Sequence, residues 1–496
     1  MCARMLAYAA MRTLIQGGWV VGFDGTGHTL IPDGCVVFEG DTVLHVGRRF
    51  DGTVDRTIDA RGKLVSPGFV NCHLHAAVNA GQTVFIDGGT KTDYFGSNFV
   101  GYVAPRRGAK PPRILADAEI GGKYGMWSAL RCGATTIMDV GTMPGGPDQF
   151  TKLVGELGIR AYLGPGFRSA EYAFDGNRVM WDWNEAQGTA GLERAIDYVK
   201  KHDGAYKGRI RAMIYPGQMD TCTVDLLRAA RRAADDLGVP VQLHAAMNQR
   251  EFHKILEQHG KTPIELLHSI GFLEPKTGLG HCVFHNNHSW CHYPYGDDLQ
   301  RLADNGVTVV HAPYKYAKMG ITLESFDGYR ARGINVAIGT DTYPQDIVHE
   351  MRWAALMSRV AEQRFTAGKA RDVYDAATLG GARHLGRDDI GRLAKGAKAD
   401  IIVVNLLSVH YGGVHDPIKA LVELGSGRDV ETVFVDGEPL IEDGRAVKFD
   451  EAALVKAVQV ESERLWDAVP EWHWTGKTVD EIVPPSFPIQ GTENDR

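Results

Sequence analysis

No two of the seven cysteines form a CxxC pair, and their number is odd: positions 2, 35, 72, 132, 222, 282 and 291 are scattered over 496 residues. That spacing excludes a zinc ribbon and the disulfide framework of a small secreted domain, and it fits reduced, structural thiols in the cytoplasm. Long apolar runs are missing as well. No window approaches the ~18 consecutive apolar residues of a spanning helix, so no membrane partner is expected. Nor is there a long basic run. With 54 Lys and Arg against 61 Asp and Glu, the formal net charge of -7 argues against nucleic acid as the main partner. The opening MCARMLAYAAMRTLI is short, carries few basic residues and passes straight into strand-like sequence, so it reads as the start of a domain rather than a signal peptide. What is present is the balance of an ordinary globular chain, 44% apolar and 23% charged, with room for one large domain and a smaller companion.

The first sixty residues read as short strands with tight turns. TLIQGGWVVGF and GCVVFEGDTVLHVG are apolar runs, the second split at Glu39-Gly40-Asp41 like a hairpin. The same texture returns in ADIIVVNL (399–406) and in ETVFVDGEPLIEDGRAV (431–447), where Asp436-Gly437 signals a turn. Neither end has enough strands for a good sheet alone, so one small β-sandwich domain built from both ends, 1–66 and 391–450, is the economical reading. Between them, short Val- and Ile-rich runs alternate with helical patterns: 63–71, 134–140, 159–166, 210–217, 239–245, 278–285, 306–313 and 333–341. Eight buried strands, each followed by helix-compatible sequence, are what a (β/α)8 TIM-like barrel over 67–390 requires. VDLLRAARRAADDLG (224–238) has apolar positions three and four apart and Gly238 as its stop. The Gly-rich, aromatic stretch 84–112 reads as a loop over the barrel mouth, and the tail 451–496 as a segment docking on this or a neighbouring subunit.

In a barrel of this kind the reactive groups gather at the carboxyl ends of the strands. Strand one ends in Asn71-Cys72-His73-Leu74-His75, strand five in Gln242-Leu243-His244, strand six runs into Gly280-His281-Cys282, and strand eight ends in Gly339-Thr340-Asp341. Residues two apart on a strand point the same way, so His73 and His75 can both face the axis. One such histidine is more often hydrogen-bonded structure than a ligand; four strand ends carrying His or Asp are not explained that way. Three neutral imidazoles and a carboxylate (His73, His75, His244 and Asp341) suit one divalent ion, zinc first, iron or another divalent metal as alternatives.

These residues resemble the amidohydrolase superfamily, and within it the branch of cytosine and guanine deaminases and atrazine-type chlorohydrolases. VSPGFVNCHLH (65–75) is similar to the family's strand-one motif, VPVQLHA to its strand-five histidine, LGHCVFH to its strand-six histidine and AIGTD to its strand-eight aspartate. IGRLAKGAKADIIVVN and VETVFVDGEPL resemble its returning β domain. The resemblance implies a metal held by His73, His75, His244 and Asp341, with His281 beside it acting on substrate or water. No lysine in strand four (IRAMIYPG) is available for a metal-bridging carbamate, which implies a single ion. The chemistry expected is attack by a metal-activated water on a small molecule. Asp341 moves the water's proton and His281 polarises the electrophile or steadies the hydroxide.

Two departures weigh on the substrate. Deaminase-type relatives carry a Glu three residues after the strand-five histidine, where this chain has Met247, which cannot move a proton; Glu251, four residues on, is the alternative carboxylate. This favours hydrolysis of a non-peptide C–N bond in an amide, urea, carbamate or N-substituted heterocycle. Hydrolytic deamination or dechlorination of a triazine, pyrimidine or purine is the alternative, and a catalytically dead scaffold is disfavoured by the intact ligand set. After strand seven the chain reads His311-Ala312-Pro313-Tyr314-Lys315-Tyr316, and Lys315 either contacts substrate or pairs with a carboxylate. His311 and Asp346 join Met247, Glu251 and Lys315 as candidate substrate contacts. The run His285–His292 reads as a polar mouth loop in preference to a second metal site. Tyr94, Phe95, Phe99, Tyr102, Tyr172 and Phe174 favour an apolar or aromatic substrate. A homo-oligomer is expected.

Overall fold

The computed structural model describes residues 11–78, 81, 83–85, 106–109, 118–175 and 178–490. The fold is mixed α/β. Its centre holds eight short strands: β1 (Phe69–Leu74), β2 (Ala134–Asp139), β3 (Arg160–Leu163), β4 (Ile210–Ala212), β5 (Val241–Ala245), β6 (Thr277–His281), β7 (Thr308–His311) and β8 (Asn335–Ile338). All of β1, β2, β3, β5, β6 and β7 is buried, which is why these segments read as unbroken apolar runs rather than alternating ones. Strands β1 to β4 form one parallel sheet and β5 to β8 another. Isolated parallel bridges join their edges, Ile214 to Val241 and Gln218 to His244 on one side and Leu74 to Asp341 on the other.

Parallel neighbours need crossovers, and helices supply them. Val224–Leu237 starts at Thr223, whose side chain accepts the N–H of Leu226, and stops at Gly238, which adopts φ 70 and returns its N–H to Ala234. A hairpin of Ala170–Asp175 and Arg178–Trp183, which the sequence pattern did not reveal, follows β3.

Segment 63–71 is two strands rather than one. Lys63–Pro67 pairs antiparallel with Ile401–Asn405, whereas β1 begins at Phe69 in the central sheet. Both stretches are buried, so burial alone gives no sign of the change of partner. Lys63–Pro67 belongs to a nine-stranded sheet that combines Arg12–Phe23, His28–Glu39, Thr42–Gly47 and Arg56–Asp59 with Ile401–Asn405, Val430–Val435, Glu438–Glu442 and Arg445–Ala446. The turn at Asp436-Gly437 has positive φ at both residues, 50 and 71, as a two-residue hairpin of this hand requires. Phe38 from one end of the chain packs on Phe434 from the other, ring centroids 5.1 Å apart.

The two layers are tied by charge. Arg160 of β3, 1% exposed, donates through Nε to Asp400 Oδ2 at 2.8 Å and through Nη2 to Asp400 Oδ1 at 3.1 Å, and also binds Asp436. The C-terminal helices Glu451–Asp467 and Val469–Trp472 dock on their own chain: Trp466 Nε1 donates to Gly81 O at 2.8 Å, and Arg106 N donates to Trp472 O at 3.0 Å.

Candidate active site

Four histidines and one aspartate meet at the carboxyl ends of β1, β5, β6 and β8. His75 Nε2 lies 3.2 Å from His244 Nε2, and His281 Nε2 lies 3.2 Å from Asp341 Oδ2. His73 Nε2 is 3.7 Å from Asp341 Oδ2, and His75 Nε2 is 3.9 Å from Asp341 Oδ1. His73–His75–His244 and His73–His281–Asp341 are each compact enough to hold an ion, with donor atoms within 4.8 Å of one another. His73 Nε2, His281 Nδ1 and Asp341 Oδ1 are buried and have no hydrogen-bond partner in the protein. Buried donors of this kind are costly unless something binds them, so the set fits a divalent cation.

Electrostatics agree with that use. Burial, reinforced by the neighbouring imidazoles, holds His73 well below the usual histidine range; burial also lowers His75 to about 4 and His244 to about 3, and puts His281 well below range. All four are neutral at pH 7, the form that ligates metal. Burial opposes ionisation of Asp341, but Lys315 and then His281, His75 and His73 outweigh it and keep the carboxyl well below its ordinary value.

The backbone is arranged around these side chains. Asp341 N donates to His73 O at 2.9 Å and His75 N donates to Asp341 O at 2.8 Å, so the first and last strands are joined at the cluster itself. His281 (φ 84) and Asp341 (φ 60) occupy the left-handed region, a strain of about 1–3 kcal/mol each that concentrates at functional sites. The glycines in the two motifs have a steric reason. A Cβ on Gly280 would lie 2.7 Å from His73 Cε1, and one on Gly339 would lie 2.5 Å from His73 Cβ.

Several supporting groups carry no sequence signature. His244 Nδ1 sits 2.9 Å from Gly217 O; donating there, the ring leaves Nε2 free for a ligand role. The Gln242 amide reaches His73 Nδ1 at 3.0 Å and Cys72 O at 3.3 Å. Asn71 cross-ties the strands, donating to Thr340 Oγ1 at 2.8 Å and accepting from Thr340 N at 3.2 Å. Asp139, which burial raises to about 7, accepts from the N–H groups of Ala76 and Gly141, both at 3.1 Å, and so fixes the turn after His75.

Among the candidate substrate contacts, Lys315 reaches the cluster: Nζ is 2.5 Å from Asp341 Oδ2. Met247 is partly buried, and its carbonyl accepts from Tyr316 OH at 2.8 Å. Glu251 is fully buried, and its Oε1 accepts the N–H of Ala246 at 2.5 Å; burial, with Asp220 nearby, raises its carboxyl well above the ordinary range. His311 is buried with its ring 6.5 Å from that of Phe326. Both oxygens of Asp346 are engaged by backbone, Oδ1 by His349 N at 3.1 Å and Oδ2 by Gly427 N at 2.9 Å, so this residue caps a helix and ties a loop. In the 285–292 run, His285 and His288 each accept a backbone N–H through Nδ1, and no second metal-holding group occurs there among the described residues. Tyr94, Phe95, Phe99 and Tyr102 lie outside the described residues, as do the side chains of Tyr172 and Phe174.

This donor set on these strand ends has counterparts. The sequence profile of the amidohydrolase family matches residues 64–440. The chain belongs to the amidohydrolase family. It is therefore a hydrolase. It is 30% identical over 439 residues to the 5′-deoxyadenosine deaminase of Methanosarcina mazei, covering 88% of this chain and 94% of that protein. It is 31% identical over 453 residues to the 5-methylthioadenosine/S-adenosylhomocysteine deaminase of Halobacterium salinarum, covering 89% and 95%. Among solved structures, an adenosine deaminase from Xanthomonas campestris with bound zinc superposes with a TM-score of 0.73 at 22% identity, covering 91% of this chain and 98% of that one. Atrazine chlorohydrolase from Arthrobacter aurescens with zinc gives 0.73 at 23%, covering 91% and 100%. Both structural likenesses concern the fold. The metal-capable, histidine-rich cluster of this amidohydrolase lies among the strand ends just described.

Proposed function

We propose that this amidohydrolase uses water to displace ammonia, an amine or a halide from a carbon of an N-heterocycle, with a single zinc or similar divalent ion held by His73, His75, His244 and Asp341. The observation that carries this reading is the convergence of four neutral imidazoles and one carboxylate on four strand ends. The heterocycle is supported by the deaminase and chlorohydrolase names of the relatives. Hydrolysis of an amide, urea or carbamate is the second reading, favoured by Met247, which offers no acid to protonate a ring nitrogen.

When bound, the ion supplies a Lewis acid and an acidified water, whose pKa falls from about 15.7 towards about 7. Asp341 accepts the attacking water's proton and delivers it to the departing group, a role suited to a carboxylate kept ionised in a buried site. His281, fully buried, steadies the oxygen that enters the substrate. The Gly217 carbonyl and Gln242 hold the His244 and His73 rings in place.

For the scaffold we propose a closed (β/α)8 barrel over 67–390, supported by the bridges Leu74–Asp341 and Ile214–Val241 that link the two parallel sheets. A β-sandwich from 1–66 and 391–450 is supported by the inward contact of Phe38 and Phe434, and 451–496 is a separate docking tail. Free cysteines support a cytoplasmic setting, and the exposed apolar side chains of Val360, Phe365 and Val409 support a homo-oligomer. The test is a panel of aminopurine nucleosides, aminopyrimidines, triazines, amides and ureas with ammonia, amine and chloride as readouts. Amine or ammonia release from amides and ureas alone would refute the heterocycle reading.

A further inference from the structure

We propose that Lys315 selects a substrate bearing a negative charge, a carboxylate or an ionised ring lactam, beside the carbon that is attacked. This rests on the hydrolytic reading above and narrows its substrate class.

Within the cluster, access is uneven. The side chains of His73 and His281 are 0% exposed and that of Asp341 is 1%, whereas His75 is 19% and Lys315 18%. A molecule arriving from solvent therefore meets one imidazole and one ammonium. Lys315 Nζ lies 2.5 Å from Asp341 Oδ2. A divalent cation held by the donor set would draw on that same carboxylate, leaving the ammonium able to pair with a further anion. Lys318, one turn further along, adds a second cation whose Nζ stands 4.3 Å from the Tyr343 ring centroid and 5.0 Å from that of Tyr314.

The other nearby carboxyl groups are directed at backbone donors rather than at Lys315, whose one ion pair among the described residues is with Asp341. Glu350 is buried and accepts the N–H of Tyr314; Glu251 is buried against the N–H of Ala246; Asp346 is engaged by two backbone N–H groups; Asp139 is buried and accepts two others. Met247, beside the strand-five end, is uncharged. The solvent-reached part of the site thus offers an ammonium with no second carboxylate partner among the described residues, and such a group makes a charge-assisted bond to an anionic substituent while offering little to a neutral one.

The experiment compares an aminopyrimidine with its ring carboxylate as substrates, and measures the Kd of benzoate, a non-reacting anion, by calorimetry on metal-loaded enzyme. Lys315→Gln should lower kcat/KM for the carboxylate at least about tenfold more than for the neutral pyrimidine, whose own loss reports the support Lys315 gives Asp341, and should weaken benzoate by a similar factor. Lys315→Arg should restore benzoate binding. Equal losses on both pyrimidines with benzoate Kd unchanged would overturn the proposal and leave Lys315 serving Asp341 only. If neither pyrimidine is turned over, the substrate panel decides the heterocycle reading, and benzoate binding by parent and variant still decides the role of Lys315.

Discussion

Replacing Arg160 by Met removes the guanidinium that holds Asp400 and Asp436 while keeping a stem of similar length in the packing of β3. The Arg160 and Asp400 side chains are 1% and 2% exposed and that of Asp436 is 14%, so water cannot take over the lost contacts. Removing one partner of a buried ion pair costs about 3–5 kcal/mol because the other charge stays behind uncompensated. Unfolding entropy of about 2.1 cal/mol/K per residue gives about 1 kcal/mol/K for a chain of this length, so the midpoint should fall by about 3–5 °C. The sign of the pH dependence follows. Burial, then Asp400, already raises Asp436 although Arg160 opposes the rise. Without Arg160 the Asp436 carboxyl rises further, so the variant regains stability as pH falls through the carboxylate range and loses it as pH rises. Scanning calorimetry of parent, Arg160→Met, Asp400→Asn and the double variant at pH 5 and 7.5 measures both effects, and the double variant should recover at least half of the loss. A single variant within 1 kcal/mol of the parent at pH 7.5, with no recovery in the double, would refute the reasoning.

Chelation should abolish turnover and readdition of zinc restore it, and His73→Ala or His244→Ala should lower metal content, read by elemental analysis, together with activity. Asp341→Asn should keep the circular dichroism spectrum and lose about 10²–10⁴-fold in kcat, the usual scale of general acid–base catalysis; full activity would remove its proton-transfer role. Glu251→Gln should keep its metal and lose less than about tenfold, since an amide oxygen still accepts the Ala246 N–H; a loss of orders of magnitude would make Glu251 the replacement for the carboxylate absent at 247. Met247→Ala should leave kcat largely intact and move KM, measured on the same substrate.

The convergence of these five side chains was legible because the chemistry restricts their residue types and places. His73, His75, His244, His281 and Asp341 are the residue types a divalent ion takes, placed where strands end, and the glycines at 280 and 339 are there because His73 occupies their side-chain space. The groups that orient those side chains were not legible. Gly217 acts through its carbonyl, which every residue possesses, and Gln242 and Asn71 are ordinary amides until the strands bring them to His73 and Thr340. Lys315 could be narrowed to two roles, and only the turn after β7 brings it to Asp341. Segment 63–71 reads as one strand in sequence and is two in the fold for the same kind of reason, because hydrogen-bonding partners are set by geometry that hydrophobicity does not encode.

The hydrogen bonds from Asp341 N to His73 O and from His75 N to Asp341 O have a thermodynamic meaning of their own. They close a loop that contains nearly all of the central strands, and such a closure works against chain entropy. An ion binding side chains from both sides of that junction favours the closed form in proportion to its affinity, acting as a clasp as well as a reagent. Loss of metal should therefore show first as faster amide exchange at His75 and Asp341, with the β2–β3 pairing at Ile137 and Met138 still protected. Retention of metal and local rigidity would then be one property measured in two ways.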